Sequence, residues 1–228
     1  IPGIANADML SSMMGLSAVL MALYRRRDTG RGDYIDLSMM DSIIAAMPNN
    51  VGPVFAEKRP PEPKQERSWG GNAMYNIYKT KDGKHIVLGG AEMHFAKAVL
   101  DKMGRPDLIE ACEPPPGPTQ LPAKKFLTEK FLSETQAYWV DWFEGVDAAF
   151  APVNNLRQGA DDPQLRHREM IIEDDRGWEH IGIPMKFRDE PGKVVFDLPD
   201  LGQHTEANLR NVGYSEADVV AMKDKGVF

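Results

Sequence analysis

The chain has a single cysteine, Cys112, so no intramolecular disulfide can form and a reducing, cytoplasmic setting is expected. Cys112 itself reads as a small buried or half-buried side chain. Positive charge is also short: 27 Lys and Arg against 34 Asp and Glu leave a formal net charge of −7. A nucleic-acid partner is therefore disfavoured, because phosphate binding needs a basic face. The one basic cluster, Arg25, Arg26, Arg27 and Arg31, reads either as the cationic end of a helix or as a contact to phosphates. Unbroken apolar sequence is missing too. Residues 9–24 are interrupted by Ser11, Ser12, Gly15 and Ser17 and fall short of the roughly 18 continuous apolar residues of a membrane span, so no membrane partner is expected. No basic stretch precedes them, and no signal peptide is expected.

Several chemistries lose support in the same way. None of the five histidines, His85, His94, His167, His180 and His204, stands in the spacing of a metal site, so no metal is expected. There is no G-x-S-x-G elbow, no phosphate-binding Walker loop, and no G-x-G-x-x-G after a strand. Hydrolase, kinase and dinucleotide readings are left without a motif.

What is present is a globular composition, 42% hydrophobic and 27% charged, with 17 Pro and 20 Gly to make turns. Asp8 stands directly before a Met-, Leu- and Ala-rich segment and reads as the acidic N-cap of a helix running to Arg27. Gly30 and Gly32 end that helix. A strand is expected over residues 34–39 and a helix over 41–47, stopped by Pro48. Residues 53–68, polar and carrying Pro60, Pro61 and Pro63, read as an exposed linker. A hairpin follows: strand 74–80, a turn at Lys81, Asp82 and Gly83, and strand 85–88, then a helix over 92–103. Residues 124–144 are mostly helical, with Phe126, Leu127, Phe131, Leu132, Trp139 and Phe143 as core. A short strand over 147–153, a helix holding His167 and Met170, a strand over 178–187, and a last helix over 215–225 opened by Ser215 and Asp218 complete the expectation.

One constellation carries more than secondary structure. The run Pro2, Gly3, Ile4, Ala5, Asn6, Ala7, Asp8, then a helix, then residues 24–41 with Thr29, Gly30, Arg31, Gly32, Ile35 and Asp36, closely resembles the family III coenzyme A transferases, also called the CaiB/BaiF family, which includes the α-methylacyl-CoA racemases. Residues 78–83, the strand to Gly89, Gly90, Ala91 and Glu92, residues 104–108, Ala151, Pro152 and Val153, and residues 201–205 follow in the family's order. The similarity covers nearly the whole chain.

The resemblance implies an α/β fold: the C-terminal part of such an enzyme, with residues 1–48 and 161–228 as remnants of a Rossmann-like large domain, 49–66 as linker and 67–160 as a small α+β domain. It implies that Asp8 is the carboxylate that attacks an acyl-CoA thioester, with acyl-CoA and a carboxylic acid as substrates and no bound cofactor. Gly70, Gly71 and Asn72 stand where the family's glycine-rich loop covers the intermediate, although an ordinary turn after a linker fits two glycines equally well. Arg31 is a candidate contact to coenzyme A. In the racemase branch Glu92 would support a histidine lying upstream of residue 1. Two departures stand out: Ser11 and Ser12 replace a small, glycine-rich step, and Asp33 replaces a Gln. Family members carry an N-terminal half that makes most coenzyme A contacts, and their homodimers interlock. This chain alone is therefore expected to be inactive and to self-associate through the face of residues 9–23. Two further readings stand beside transfer: racemisation of a 2-methylacyl-CoA, and a noncatalytic assembly partner.

Overall fold

A computed structural model describes residues 3–113 and 115–228, and its packing divides the chain into two units, Ile1–Val153 and Asn154–Phe228.

The first unit opens with helix α1 (Asn6–Thr29), about 36 Å long at 1.5 Å per residue. The cap is Ala5, without a side-chain bond, so Asp8 is not the N-cap but sits inside the first turn. Helical geometry begins three residues earlier than expected, and the dipole favours an acid there as well as at the cap. Gly30 closes the helix in the left-handed region (φ 69°), its N–H donating to Arg26 O at 2.8 Å. Ser11 and Ser12 do not reshape the backbone. The Ser11 hydroxyl donates to Ala7 O at 2.7 Å and the Ser17 hydroxyl to Met13 O at 2.9 Å, so their polarity is absorbed by the helix itself.

The interrupted run still averages apolar: an 18-residue window of α1 has a mean hydropathy of 1.4, enough by length and composition alone to cross a bilayer. A helix apolar on all sides also belongs in the core of a larger fold. Among the described residues α1 buries none of its side chains, leaving Met13 (63%) and Leu20 (56%) exposed.

Residues 30–38 are extended but form no strand. They run back along α1, with Asp33 paired to Arg25 at 2.9 Å and the Leu37 side chain against Gly15. A strand needs a hydrogen-bonding neighbour, and the described residues offer none here. Helix α2 (Met39–Ala45) is capped by Ser38, whose Oγ accepts from Asp41 N at 3.3 Å. Pro48 does follow the end of α2, yet it also opens helix α3 (Pro48–Glu57), which occupies half of the expected linker. Proline at the first helical position gives up an N–H that has no partner there anyway.

Beyond it lies a three-stranded antiparallel sheet, β1 (Tyr75–Lys79), β2 (His85–Gly89) and β3 (Phe150–Val153), in that order. Asp82 and Gly83 (φ 78°) make the expected turn, and Asp82 accepts both Thr80 Oγ1 at 2.6 Å and Gln136 N at 3.1 Å. Helices α4 (Met93–Lys102), α5 (Leu121–Leu132) and α6 (Gln136–Phe143) cover one face. Ile86, Leu88, Val99, Leu100, Leu127, Phe131 and Trp139 are fully buried there. Trp139 meets Phe131 edge-on at 5.0 Å and donates its indole N–H to Phe131 O at 2.9 Å. Two expectations change. The helix over 124–144 is broken at residues 133–135, where Thr135 caps α6, and Leu132 is 42% exposed rather than core. Cys112 is buried, and burial pushes its thiol up to about 11.

The second unit is a chain of small pieces. Helix α7 (Leu156–Ala160) is opened by a capping box of Asn155 and Gln158, and α8 (Pro163–His167) stops short of Met170. A hairpin follows, β4 (Ile171–Glu173) and β5 (Glu179–Ile181), so the strand expected over 178–187 is only three residues long. Arg157 and Arg166 both bind Glu179, and these bonds hold its carboxyl down at about 2. Helices α9 (Thr205–Asn211) and α10 (Glu216–Asp224) close the chain, the latter through the Ser215 and Asp218 capping box. Every strand pairing among the described residues is antiparallel. The expected remnants of a Rossmann-like domain thus contribute helices, extended chain and the antiparallel β4–β5 hairpin, with no parallel pairing among the described residues.

Candidate active site at the start of helix α1

Asp8 is exposed, and among the described residues its carboxylate makes neither a hydrogen bond nor an ion pair. The first turn of a helix leaves N–H groups without intrahelical partners, so a positive field and donors surround this position. A hollow of about 550 Å³ opens beside it, lined by residues 3–8 and by Ile43 of α2. A carboxylate free of internal partners, at a helix start and facing open space, can act as a nucleophile or a base.

Arg31 lies elsewhere. Twenty-one residues of helix, about 30 Å, separate Asp8 from Thr29. Arg31 borders a different depression with Arg25, Thr29, Gly32 and Asp33, and its backbone N–H donates to the Thr29 hydroxyl at 3.3 Å. Arg25 is spent on Asp33 and on Gly32 O, leaving Arg31 as the outward cation of that turn.

Gly70, Gly71 and Asn72 form a tightly tied turn. Gly70 takes the left-handed region (φ 83°), and a Cβ on Gly71 would lie 2.3 Å from the Gln65 carbonyl carbon, so only glycine fits there. Lys124 Nζ donates to Gly70 O at 2.6 Å, Gly71 N–H to Glu66 O at 2.8 Å, and Gly117 N–H to Gly71 O at 3.2 Å. Ala73 is held by Gln120 Oε1 on its N–H (2.8 Å) and by the Tyr78 hydroxyl on its carbonyl (2.6 Å). Asn72 is buried, and its Oδ1 accepts from Met74 N at 2.7 Å, so its side chain serves the turn. Partial burial lowers the pKa of Lys124. Lys124 and Gln120 are the residues sequence reasoning missed. They stand about fifty residues further along the chain, and no local pattern ties them to the glycines.

Glu92 is exposed at the N-cap of α4, where its carbonyl accepts from Phe95 N at 3.1 Å and its carboxylate makes no cap bond. The hollow beside Asp8 is not lined by Arg31, the 70–72 turn or Glu92. Among the described residues no cluster of three or more His, Cys, Asp or Glu could hold a metal ion.

The chain is 26% identical over 242 residues to succinyl-CoA:glutarate CoA-transferase of Mus musculus, covering 99% of this chain and 53% of that protein. It is 26% identical over 219 residues to the alpha-methylacyl-CoA racemase of Mus musculus, covering 92% of this chain and 55% of that one. The chain thus spans about half the length of the curated relatives it matches. Its fold is that of a CAIB/BAIF family protein from Brucella suis, with a TM-score of 0.69 at 21% identity over 93% of this chain and 56% of that chain. Rv3272 from M. tuberculosis gives a TM-score of 0.70 at 19% identity, over 90% and 55% of the two chains. The sequence profile of CoA-transferase family III matches residues 1–205, an unbroken stretch that takes in Asp8, the 70–72 turn and Glu92, and the chain belongs to that family.

Proposed function

We infer that this chain is part of an acyl-CoA:carboxylate CoA transferase in which Asp8 is the nucleophile. The observation that carries this reading is the Asp8 carboxylate, unpartnered in the first turn of α1 beside an open hollow. The Asp8 carboxylate attacks the thioester carbonyl, the C–S bond breaks, and coenzyme A leaves as its thiolate, giving an aspartyl–acyl anhydride. The thiolate then attacks the aspartyl carbonyl and releases the donor acid, leaving an aspartyl-CoA thioester. Attack by the acceptor carboxylate and return of the thiolate reverse these two steps, regenerating Asp8 and the product thioester. Helix N–H groups favour the ionised acid and the oxyanion that forms on the way. In this reading residues 1–48 and 161–228 serve the larger domain, residues 67–160 form the small domain, and a homodimer and further chain complete the site. The chain by itself is then inactive.

A second reading, proton exchange at the α-carbon of a 2-methylacyl-CoA, is favoured by the equal identity to a racemase. The test is to incubate the complete enzyme with succinyl-CoA and labelled glutarate, the pair named for the mouse transferase, and separately with a 2-methylacyl-CoA in deuterium oxide. A new labelled thioester that disappears with Asp8→Asn supports transfer. Deuterium uptake without a new thioester would replace it by racemisation, and neither activity would remove both.

A further inference from the structure

Away from the hollow at Asp8, the residues around the glycine turn enclose a cavity of about 540 Å³, within the size range of small-molecule sites. Two aromatic rings line it, Trp69 and Tyr75, each 43% exposed. Pro53, Pro115 and Pro116 add apolar walls whose backbone is stiff. The backbone that carries Trp69 is tied down: Trp69 O accepts from Lys64 N at 2.6 Å, and Gly71 approaches the Gln65 backbone closely.

Charge in the cavity is uneven. Arg59 is held by Glu57 and by Glu66, both at 2.6 Å. Arg67 lines the same space with its guanidinium carbon 5.6 Å from the centroid of the Tyr75 ring, and among the described residues it makes no ion pair. One cation, backed by an aromatic face, is therefore left to a ligand. Three glutamates, Glu57, Glu62 and Glu66, share the single Arg59 and discourage a polyanion such as a diphosphate, whereas one guanidinium fork matches one carboxylate.

We propose that this cavity binds a planar aromatic monocarboxylate, its ring against Trp69 and Tyr75 and its carboxylate on Arg67. The site is separate from Asp8 and does not depend on the transferase reading. Calorimetric titration of the 228-residue chain with 2-naphthoate, 2-naphthamide and cyclohexanecarboxylate tests it. Saturable binding of 2-naphthoate is expected, weakened roughly tenfold or more by loss of the charge in the amide or of the aromatic ring in the cyclohexane acid. Arg67→Met, an exposed position, should cost 2-naphthoate a similar factor while leaving thermal unfolding unchanged, and Arg31→Met should leave binding intact. Trp69→Ala should weaken 2-naphthoate as well. If that variant fails to fold, the ligand series and Arg67→Met decide alone. No saturable heat up to about 10 mM 2-naphthoate, or equal affinity for the amide or in Arg67→Met, would overturn the proposal.

Discussion

The segment over residues 6–57 and the sheet domain that follows it are built from similarly apolar sequence and end up in opposite conditions. Helix α4 turns one face inward and buries Ala96, Val99 and Leu100, while α1 buries none of its side chains among the described residues. The difference lies in patterning: α4 has one apolar face, whereas the middle of α1 spreads its apolar residues around the helix, with α2 and an extended segment packed beside it. The sheet domain therefore carries its own core, whereas among the described residues the helix bearing Asp8 buries no side chain.

The sharpest break of that contrast is catalytic. Asp8→Asn in the complete enzyme should lower kcat on the order of a thousandfold or more, as expected when a nucleophile is removed. Its urea midpoint should stay nearly unchanged, because the side chain has no internal partner to lose. A large fall in stability, measured by circular dichroism, would mean that Asp8 holds the fold after all. Next comes the core. Phe131→Ala should destabilise the sheet domain by roughly 3–5 kcal/mol in chemical denaturation. The same operation on α1 should do almost nothing: Met13→Ser with Leu20→Ser is expected within about 0.5 kcal/mol of the parent chain. That pair should instead reduce self-association of the 228-residue chain, read as a lower sedimentation mass. A stability loss as large as that of Phe131→Ala would abolish the distinction between the two regions.

The smallest effect concerns the second unit. The folded Glu179 carboxyl titrates below its ordinary value, so its contribution is complete above the usual carboxylate range and fades as pH falls toward about 2. Glu179→Gln should flatten the acid limb of the unfolding curve between pH 5 and about 2, modestly, and less so in high salt, because the cluster is solvent-exposed. An acid limb identical to that of the parent chain would show the Arg157 and Arg166 bonds to be idle.

Legibility in the sequence followed the range of the interactions. The turn at Asp82 and Gly83 and the capping box at Ser215 were readable because each is settled by residues two or three apart. The strand expected over 34–39 failed for lack of a partner, which no period-two pattern supplies. Helix α3 was missed because a proline that ends one helix can begin the next. At the candidate site, Asp8 stood out through its resemblance to a family, whereas the ties that fix the 70–72 turn come from Lys124 and Gln120, far along the chain. Trp69, Tyr75 and Arg67 carried no motif in the sequence, and only folding brings Pro115 and Pro116 to them.

The pairing of β2 with β3 has a consequence for synthesis. The hairpin of β1 and β2 is complete once residue 89 has emerged, yet its other neighbour begins at Phe150, and Phe131, Trp139 and Phe143 of the shared core lie between. On the ribosome β2 gains its second strand neighbour only about sixty residues later, some 3 to 12 s at ordinary elongation rates. Through that interval β2 is an edge strand, its outer hydrogen-bonding groups open until β3 arrives.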